Sequence, residues 1–598
     1  MALSGHAQRF AFLSDIHITP GNRSESYLKE AVREINGAGL DFAVLAGDLT
    51  NEGSDEELRN VKAILDSVAI PLYVLPGNHE TTWSQSAVKT FTDLWGDDRF
   101  VCEYDSLVII GIGCGPYMKM GDGHVKTEDL AWIKSELDRR LTPGKKVLSV
   151  NHYPLKDDLD NCDVYTALLS DYPVVAHLGG HYHRWIEYEA CDTAGAIPGL
   201  MLRALDMGKG NYGYALVDVA ADSIRIYDKR IGEEPSRVWA IPNRTGYRKV
   251  AERPGWNMKD MPDNFEVELV WADTASVFSS VAFDDRNIYF GNSLGHLKAV
   301  TRTAPHAEVW SVPSAGSYYS RPMVMAAGEI AYPTLTGITI VNKDGAVARE
   351  LASATPYVAD GIMTAQGWAQ GGYKRMEMRD PSDGRVIWVY DSIFNYCQGA
   401  PAVDGSDLVF GAWDTNLRCV DANTGRLRWV WNNGKSANQL GPGNVVPVIT
   451  PARIYIVAPD RYMTAIDRET GATVWRDNSH RYRESIGRSA DCRMVYAKTM
   501  DGELVAVATD TPEFKELWTL DLGLGYEHAP CIILEHDGVI YVGSRRGIVT
   551  AVNAADRQIA WQLELGKGEV NGFELDAATG DVFLSLVDGK IYRIRQKK

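Results

Sequence analysis

The sequence predicts a multidomain chain: an N-terminal α/β domain followed by an all-β propeller, with eight blades expected and seven as the alternative. Three observations carry this. The chain has 598 residues, too many for one hydrophobic core. Its first part alternates short apolar runs with helical spacing. Its second part repeats a Trp-bearing β pattern at intervals of about 40 residues.

The α/β reading starts at "RFAFLSD" (9–15), a short apolar strand. "SESYLKEAVREINGAG" (24–39) has helical spacing and ends in glycine. "DFAVLAGD" (41–48) is a second strand, "DEELRNVKAILDSV" (55–68) a second helix and "PLYVLPGNHE" (71–80) a third strand. This is a βαβαβ order, which predicts a parallel sheet with helices on its faces. Further strands follow at 107–113 and 145–154, with a helix at 126–141 between them.

Composition narrows the function. The net charge of -18 and the lack of a Lys/Arg run argue against a nucleic-acid polymer as partner. No run of about 18 apolar residues exists, so no membrane span is expected. "MALSGHAQRFAFLSD" is too short and polar for a signal peptide. The eight cysteines include no C-x-x-C and no vicinal pair, which disfavours a zinc ribbon or dithiol redox motif and leaves buried free thiols as the expectation.

The strand ends carry the chemistry. Asp15 and His17 follow the first strand, Asp48 ends the second, and Asn78 and His79 end the third. His152 ends the strand at 145–154, and His181 and His183 follow "VVAHLGG". Ligands of such sheets gather beyond the carboxyl ends of the strands. An Asp after a strand is by itself an ordinary turn or cap residue. Seven metal-compatible side chains in this order are not ordinary. In "LGGHYHRW" (178–185) the glycines are expected to permit a tight turn on which both imidazoles converge.

"SDIH", "AGD", "GNHE", "NH" and "GGHYH" together resemble the five motifs of the calcineurin-like metallophosphoesterases, over roughly residues 9–235. The resemblance implies an αββα sandwich and a two-metal site. It assigns Asp15, His17, Asp48 and His183 to one metal and Asp48, Asn78, His152 and His181 to the other, with Asp48 bridging. Such ligands suit divalent or trivalent Mn, Fe or Zn. The implied chemistry is in-line attack on phosphorus by a metal-bound hydroxide. His79 is not a ligand in this scheme; it sits beside the substrate and protonates the leaving oxygen or contacts the phosphoryl group. Some members carry an Asp three residues after the bridging Asp, where it orients the catalytic His. Here "GDLTNEG" places Asn51 there, which can orient an imidazole without offsetting its charge. The arginines of protein Ser/Thr phosphatases are missing around "GD" and "GNHE", which points to small-molecule phosphodiesterases and phosphatases. Trp83, Tyr117 and Lys119 are the expected leaving-group contacts.

Residues 1–240 are assigned to this domain, 241–264 to a linker and 265–598 to the propeller. The polar, Pro- and Gly-bearing stretch 233–264 carries the linker reading. Segments 407–431, 453–477 and 539–563 align as strand, turn, strand, "xDxxTG"-like turn and Trp strand. Trp271, Trp310, Trp388, Trp429, Trp475, Trp518 and Trp561 mark the recurring strand, and "FEVELVWAD" (265–273) is expected to close the ring against the last repeat. These repeats resemble the quinoprotein (PQQ-like) propellers. The quinone-dependent dehydrogenases carry a vicinal cysteine pair that is missing here, so no bound PQQ is expected. Tyr319, Arg321, Gln398 and His528 precede inner strands and are binding candidates, and His6, His124, His177, His296, His306, His480, His528 and His536 receive no metal role.

The functional expectation is a metal-dependent phosphoric ester hydrolase. It would act on a phosphodiester, or a phosphomonoester, of a small molecule or glycan, with the propeller shaping access or docking. The alternative is a propeller-based binding or scaffold protein with a secondary phosphoesterase domain. The resemblance implies a bacterial periplasmic or envelope protein whose signal is absent from this sequence, or else a cytoplasmic one. Oligomeric state is not legible.

Overall fold

The computed structural model describes residues 8–597 except 105, 221, 251–258, 354 and 436–439. The chain divides into two compact units, Met1–Met118 with Asp122–Pro254, and Lys119–Gly121 with Gly255–Lys598.

The first unit contains twelve strands among its described residues: β1 (Gln8–Leu13), β2 (Phe42–Ala46), β3 (Leu72–Leu75), β4 (Arg99–Tyr104), β5 (Leu107–Ile112), β6 (Lys146–Val150), β7 (Val174–Gly179), β8 (Ile186–Glu189), β9 (Pro198–Met201), β10 (Gly213–Val219), β11 (Ser223–Arg230) and β12 (Ser236–Pro242). They form two six-stranded sheets, ordered β12-β11-β10-β1-β2-β3 and β4-β5-β6-β7-β9-β8. The β1–β2, β2–β3, β5–β6 and β6–β7 pairings are parallel, as the βαβαβ order requires.

One apolar cluster joins the sheets: Phe10, Phe12 and Val44 of the first pack with Leu107, Ile109, Leu148 and Leu178 of the second. Helices cover the outside. On α1 (Arg23–Gly37) the buried residues Leu28, Ala31, Val32 and Ile35 form one face, and the Asn22 side chain caps its N-terminus. On α2 (Asp55–Leu65) Ser54 and Glu57 form a capping box. Two short helices follow, α3 (Asn78–Thr82) and α4 (Lys89–Trp95). The other face of the second sheet is covered by α5 (Thr127–Arg140) and α6 (Cys162–Leu169), with Ile133, Leu137, Tyr165 and Leu169 against Val108 and Ile110.

The linker reading needs correction at its start. Residues 236–242 form the edge strand β12, which pairs with β11 and buries Trp239 and Ile241 in alternation. The Pro and Gly content of the stretch masked this short period-2 pattern. Residues 251–258 of the expected linker, and His6, lie outside the described residues.

The second unit is β-rich and propeller-like. Its described strands form six four-stranded antiparallel sheets and one eight-stranded sheet. The repeat has a packing cause. Trp388 and Trp429 donate their indole N–H groups to Ala422 O and Arg468 O, at 2.9 and 3.0 Å, in the turn of the following sheet. A Cβ on the turn glycine would crowd each ring, falling 2.6 Å from Trp388 at Gly425 and 2.7 Å from Trp429 at Gly471. Both glycines also have positive φ, 70° and 73°. The "TG…W" spacing therefore records one sheet docking on the next. Phe265–Ala272 pairs antiparallel with Lys590–Gln596, so the first strand of this unit joins its last.

Candidate metal centre

The segments leaving β1, β2, β3, β6 and β7 converge. Asp15 and Asp48 are buried there, each at most 2% exposed. Asp15, His17, Asp48 and His183 bring one ligand atom each within 4.8 Å of one another, and Asp48, His152 and His181 do the same. His183 Nε2 lies 3.2 Å from Asp15 Oδ1, and His152 Nε2 lies 3.2 Å from Asp48 Oδ2. Asn78 Oδ1 joins the second group, 3.1 Å from both His152 Nε2 and His181 Nδ1. Asp48 belongs to both groups.

The backbone is bent to achieve this. Asp15, His17, Asp48, His181 and His183 all have φ between 52° and 70°. Non-glycine residues pay about 1–3 kcal/mol each for such conformations, and they cluster at functional sites. The expectation for the Gly-Gly pair is corrected here. The left-handed turn residues are the two histidines; the glycine serves a close approach. A Cβ on Gly180 would fall 1.7 Å from Ser14 Oγ and 2.6 Å from Asp15 Oδ2. That proximity lets the His181 N–H donate to both Asp15 carboxylate oxygens at 3.0 Å.

Supporting contacts orient the rings. His152 Nδ1–H donates to Ala46 O at 2.8 Å, which leaves Nε2 facing Asp48. Glu80 is buried and accepts from Thr50 N, Thr50 Oγ1 and Gly77 N, tying the loop after β2 to the one after β3. Sequence reasoning missed this residue, although "GNHE" contains it.

Burial pushes the His17 and His181 imidazoles down to about 4, so both are neutral at pH 7 with lone pairs to offer. Burial opposes charge on Asp48, but His152, His79 and His17 outweigh it and hold the carboxyl far below its usual range. Burial likewise opposes charge on His152, yet Asp48 pushes it up to about 9. The donor set fits cations: imidazole nitrogens with carboxylate and amide oxygens suit Zn, Fe or Mn. His17 Nε2 and His183 Nε2 are 3.0 Å apart, a contact in which two lone pairs oppose each other unless a proton or a cation lies between.

His79 stands beside this cluster, its Nε2 3.8 Å from Asp48 Oδ2. Its Nδ1–H donates to Asn51 at 2.6 Å, but the acceptor is the backbone carbonyl. The Asn51 side chain instead donates to His17 O at 3.0 Å and Thr19 Oγ1 at 2.8 Å. Asn51 thus orients the imidazole through its main chain, which needs no particular side chain.

Trp83 packs edge-on against His79, ring centroids 5.3 Å apart. The other expected substrate contacts have partners of their own. Tyr117 is 2% exposed, with its hydroxyl on Asp98 and its ring beside the Lys126 ammonium. Lys119 groups with the second unit, 2.7 Å from Asp360. The Arg321 guanidinium pairs with Glu574 at 2.7 Å, and the Arg321 backbone N–H donates to Asp360 Oδ1 at 2.8 Å. Lys119, Arg321 and Gln398 line a cavity of about 150 Å³ in the second unit. Tyr319 is buried, stacked on Phe278.

Residues 8–185 match the calcineurin-like phosphoesterase family, and residues 375–514 match the family of the outer membrane protein assembly factor BamB. A probable glycerophosphodiester phosphodiesterase GpdQ of Arcobacter nitrofigilis is 29% identical over 160 residues, 24% of this chain and 57% of that protein. A probable cyclic nucleotide phosphodiesterase of Fibrobacter succinogenes is 25% identical over 154 residues, 24% and 58% of the two chains. The chain thus spans less than three-fifths of the length of either relative. The dehydrogenase subunit of a quinone alcohol dehydrogenase of Komagataeibacter europaeus is 29% identical over 144 residues, 20% of this chain and 19% of that one. The chain carries an N-terminal calcineurin-like metallophosphoesterase domain and a PQQ-repeat β-propeller region.

Proposed function

We propose that the first unit is a dinuclear-metal phosphoric ester hydrolase acting on a small-molecule or glycan ester, with phosphodiesters preferred to phosphomonoesters. One observation carries the reading: seven donor side chains from five strand ends converge in two groups that share Asp48. Asp15, His17, Asp48 and His183 would hold one cation, and Asp48, Asn78, His152 and His181 the other. When bound, such a pair supplies Lewis acidity toward phosphoryl oxygens and lowers the pKa of water.

The chain's own residues do the rest. Asp48 lies between the two groups and offsets their charge. His79, with Nδ1–H fixed on Asn51 O, presents Nε2 toward the cluster, where it can hold a proton for a leaving oxygen. Trp83 limits water on that side of His79. The preference for diesters draws on the two phosphodiesterase relatives.

The second unit is read as an eight-bladed propeller. The six four-stranded sheets count once each, and the eight-stranded sheet counts as two blades joined by the parallel pairing of Gly487 and Arg488 with Ile533 and Leu534. Its role is docking or shaping of access. The sequence has no vicinal cysteines, and PQQ is left out of the reading.

The test pairs metal content by mass spectrometry with hydrolysis of bis-p-nitrophenyl phosphate and p-nitrophenyl phosphate. About two metals per chain, turnover favouring the diester, and its loss in His79→Ala and Asp48→Asn are expected. A chain that takes up no metal after reconstitution with Mn, Fe or Zn overturns the reading.

A further inference from the structure

Two thiols outside the metal cluster approach each other. Cys162 is the first residue of α6, and Cys191 is the middle residue of the 3-10 turn Ala190–Asp192 between β8 and β9. Their Sγ atoms are 2.8 Å apart, although 29 residues separate them along the chain. This lies inside the contact distance of two non-bonded sulfurs. Thr166 Oγ1 is 3.5 Å from Cys191 Sγ and 3.8 Å from Cys162 Sγ, so one hydroxyl serves both.

The turn is held in this position independently of the sulfurs. Cys191 N–H donates to Leu155 O at 2.8 Å, and Ala190 N–H donates to Ile197 O at 2.9 Å. Cys191 has φ 49°, a conformation that non-glycine residues avoid without support. Cys162 is buried, whereas Cys191 is only partly buried. The pair thus joins a partly exposed residue, Cys191, to a buried thiol in reach of it.

We propose that Cys162 and Cys191 are a modification site that takes a small-molecule disulfide and closes into an intramolecular disulfide. The Cys191 thiolate attacks one sulfur of the donor RSSR, forming a mixed disulfide and releasing RS⁻. The Cys162 thiolate then attacks Cys191 Sγ, forming the internal bond and releasing the second RS⁻. Two electrons pass from the protein to the donor, and the two protons lost by the protein thiols end on the two RSH products. The bond closes a loop that contains β7 and both His181 and His183. It therefore tethers the turn that carries two of the donor side chains. Among the other cysteines, burial pushes the Cys102, Cys114, Cys419 and Cys531 thiols up to about 12, which makes them slow controls.

The test treats the folded full-length chain with oxidised glutathione, then unfolds it in guanidinium with iodoacetamide and maps the peptides by mass spectrometry. The expected result is a Cys162–Cys191 cross-linked peptide, lost after dithiothreitol, with the other cysteines alkylated. The thermal midpoint of the oxidised chain is expected to rise by about 5–10 °C over the reduced chain, and by nothing in Cys191→Ala. Alkylation of both Cys162 and Cys191 after oxidation, or linkage of either to a different cysteine, overturns the proposal. Equal midpoints in a chain shown to be cross-linked overturn the tether.

Discussion

Replacing Asn51 by alanine separates a side-chain role from a main-chain one. The substitution removes the Asn51 Nδ2 bonds to His17 O and Thr19 Oγ1. It leaves the carbonyl that accepts from His79 Nδ1 at 2.6 Å. That carbonyl is held by neighbours: Thr50 donates to Glu80 through N and Oγ1, and Gly53 N donates to Thr50 Oγ1. Two partly exposed hydrogen bonds are worth about 0.5–1.5 kcal/mol each, so Asn51→Ala should lose about 1–3 kcal/mol of stability. On a unit of this size the thermal midpoint falls by a few degrees, on the order of 2–4 °C per kcal/mol. Turnover of bis-p-nitrophenyl phosphate should stay within about threefold of wild type, a barrier change of no more than about 0.6 kcal/mol. His79→Ala should cost roughly 10²–10⁴-fold. If Asn51→Ala loses as much turnover as His79→Ala while keeping its metal, the carbonyl is not what orients the ring and the argument fails.

Three further outcomes follow from the geometry. Gly180→Ala places a methyl group against Ser14 and Asp15; overpacking of about 1–3 kcal/mol and misplacement of Asp15 should lower metal content and cut turnover on the order of 10²-fold, whereas Gly37→Ala, with open space around it, should change neither. His177 is fully buried, and burial pushes it down to about 3. The unfolded imidazole binds a proton below about pH 6.5 that the folded one refuses, so this contribution is intact above that pH and declines by about 1.4 kcal/mol per unit as pH falls toward 3. Thermal melts at pH 7, 6 and 5 should show a shallower slope for His177→Gln. In the second unit, Trp561→Ala should cost about 3–5 kcal/mol in denaturant unfolding, because the ring is fully buried among Val549, Val570 and Leu584. Leu269→Ala, at a side chain 46% exposed, should stay within about 0.5 kcal/mol.

The α/β order and the cluster were legible for the same reason. A parallel strand needs an apolar run, and its end delivers the next polar residue to a shared edge. Asp15, Asp48, Asn78, His152 and His181 could therefore be placed by counting from a strand. The partners of Tyr117, Lys119 and Arg321 were not legible in this way, because no local pattern connects these residues to Asp98, Asp360 and Glu574. The Cys162–Cys191 approach was illegible because spacing rules look for cysteines close in sequence. The role of Asn51 was read from its side chain, while the working atom is one that every residue carries.

The pairing of Phe265–Ala272 with Lys590–Gln596 also has a consequence in time. On a ribosome the first strand emerges more than three hundred residues before its partner. For that interval its hydrogen-bonding edge is open to strangers, including the same strand of a neighbouring nascent chain. Glu266 and Glu268, set among its apolar residues, put like charges on that edge and discourage such mispairing until the partner strand is made.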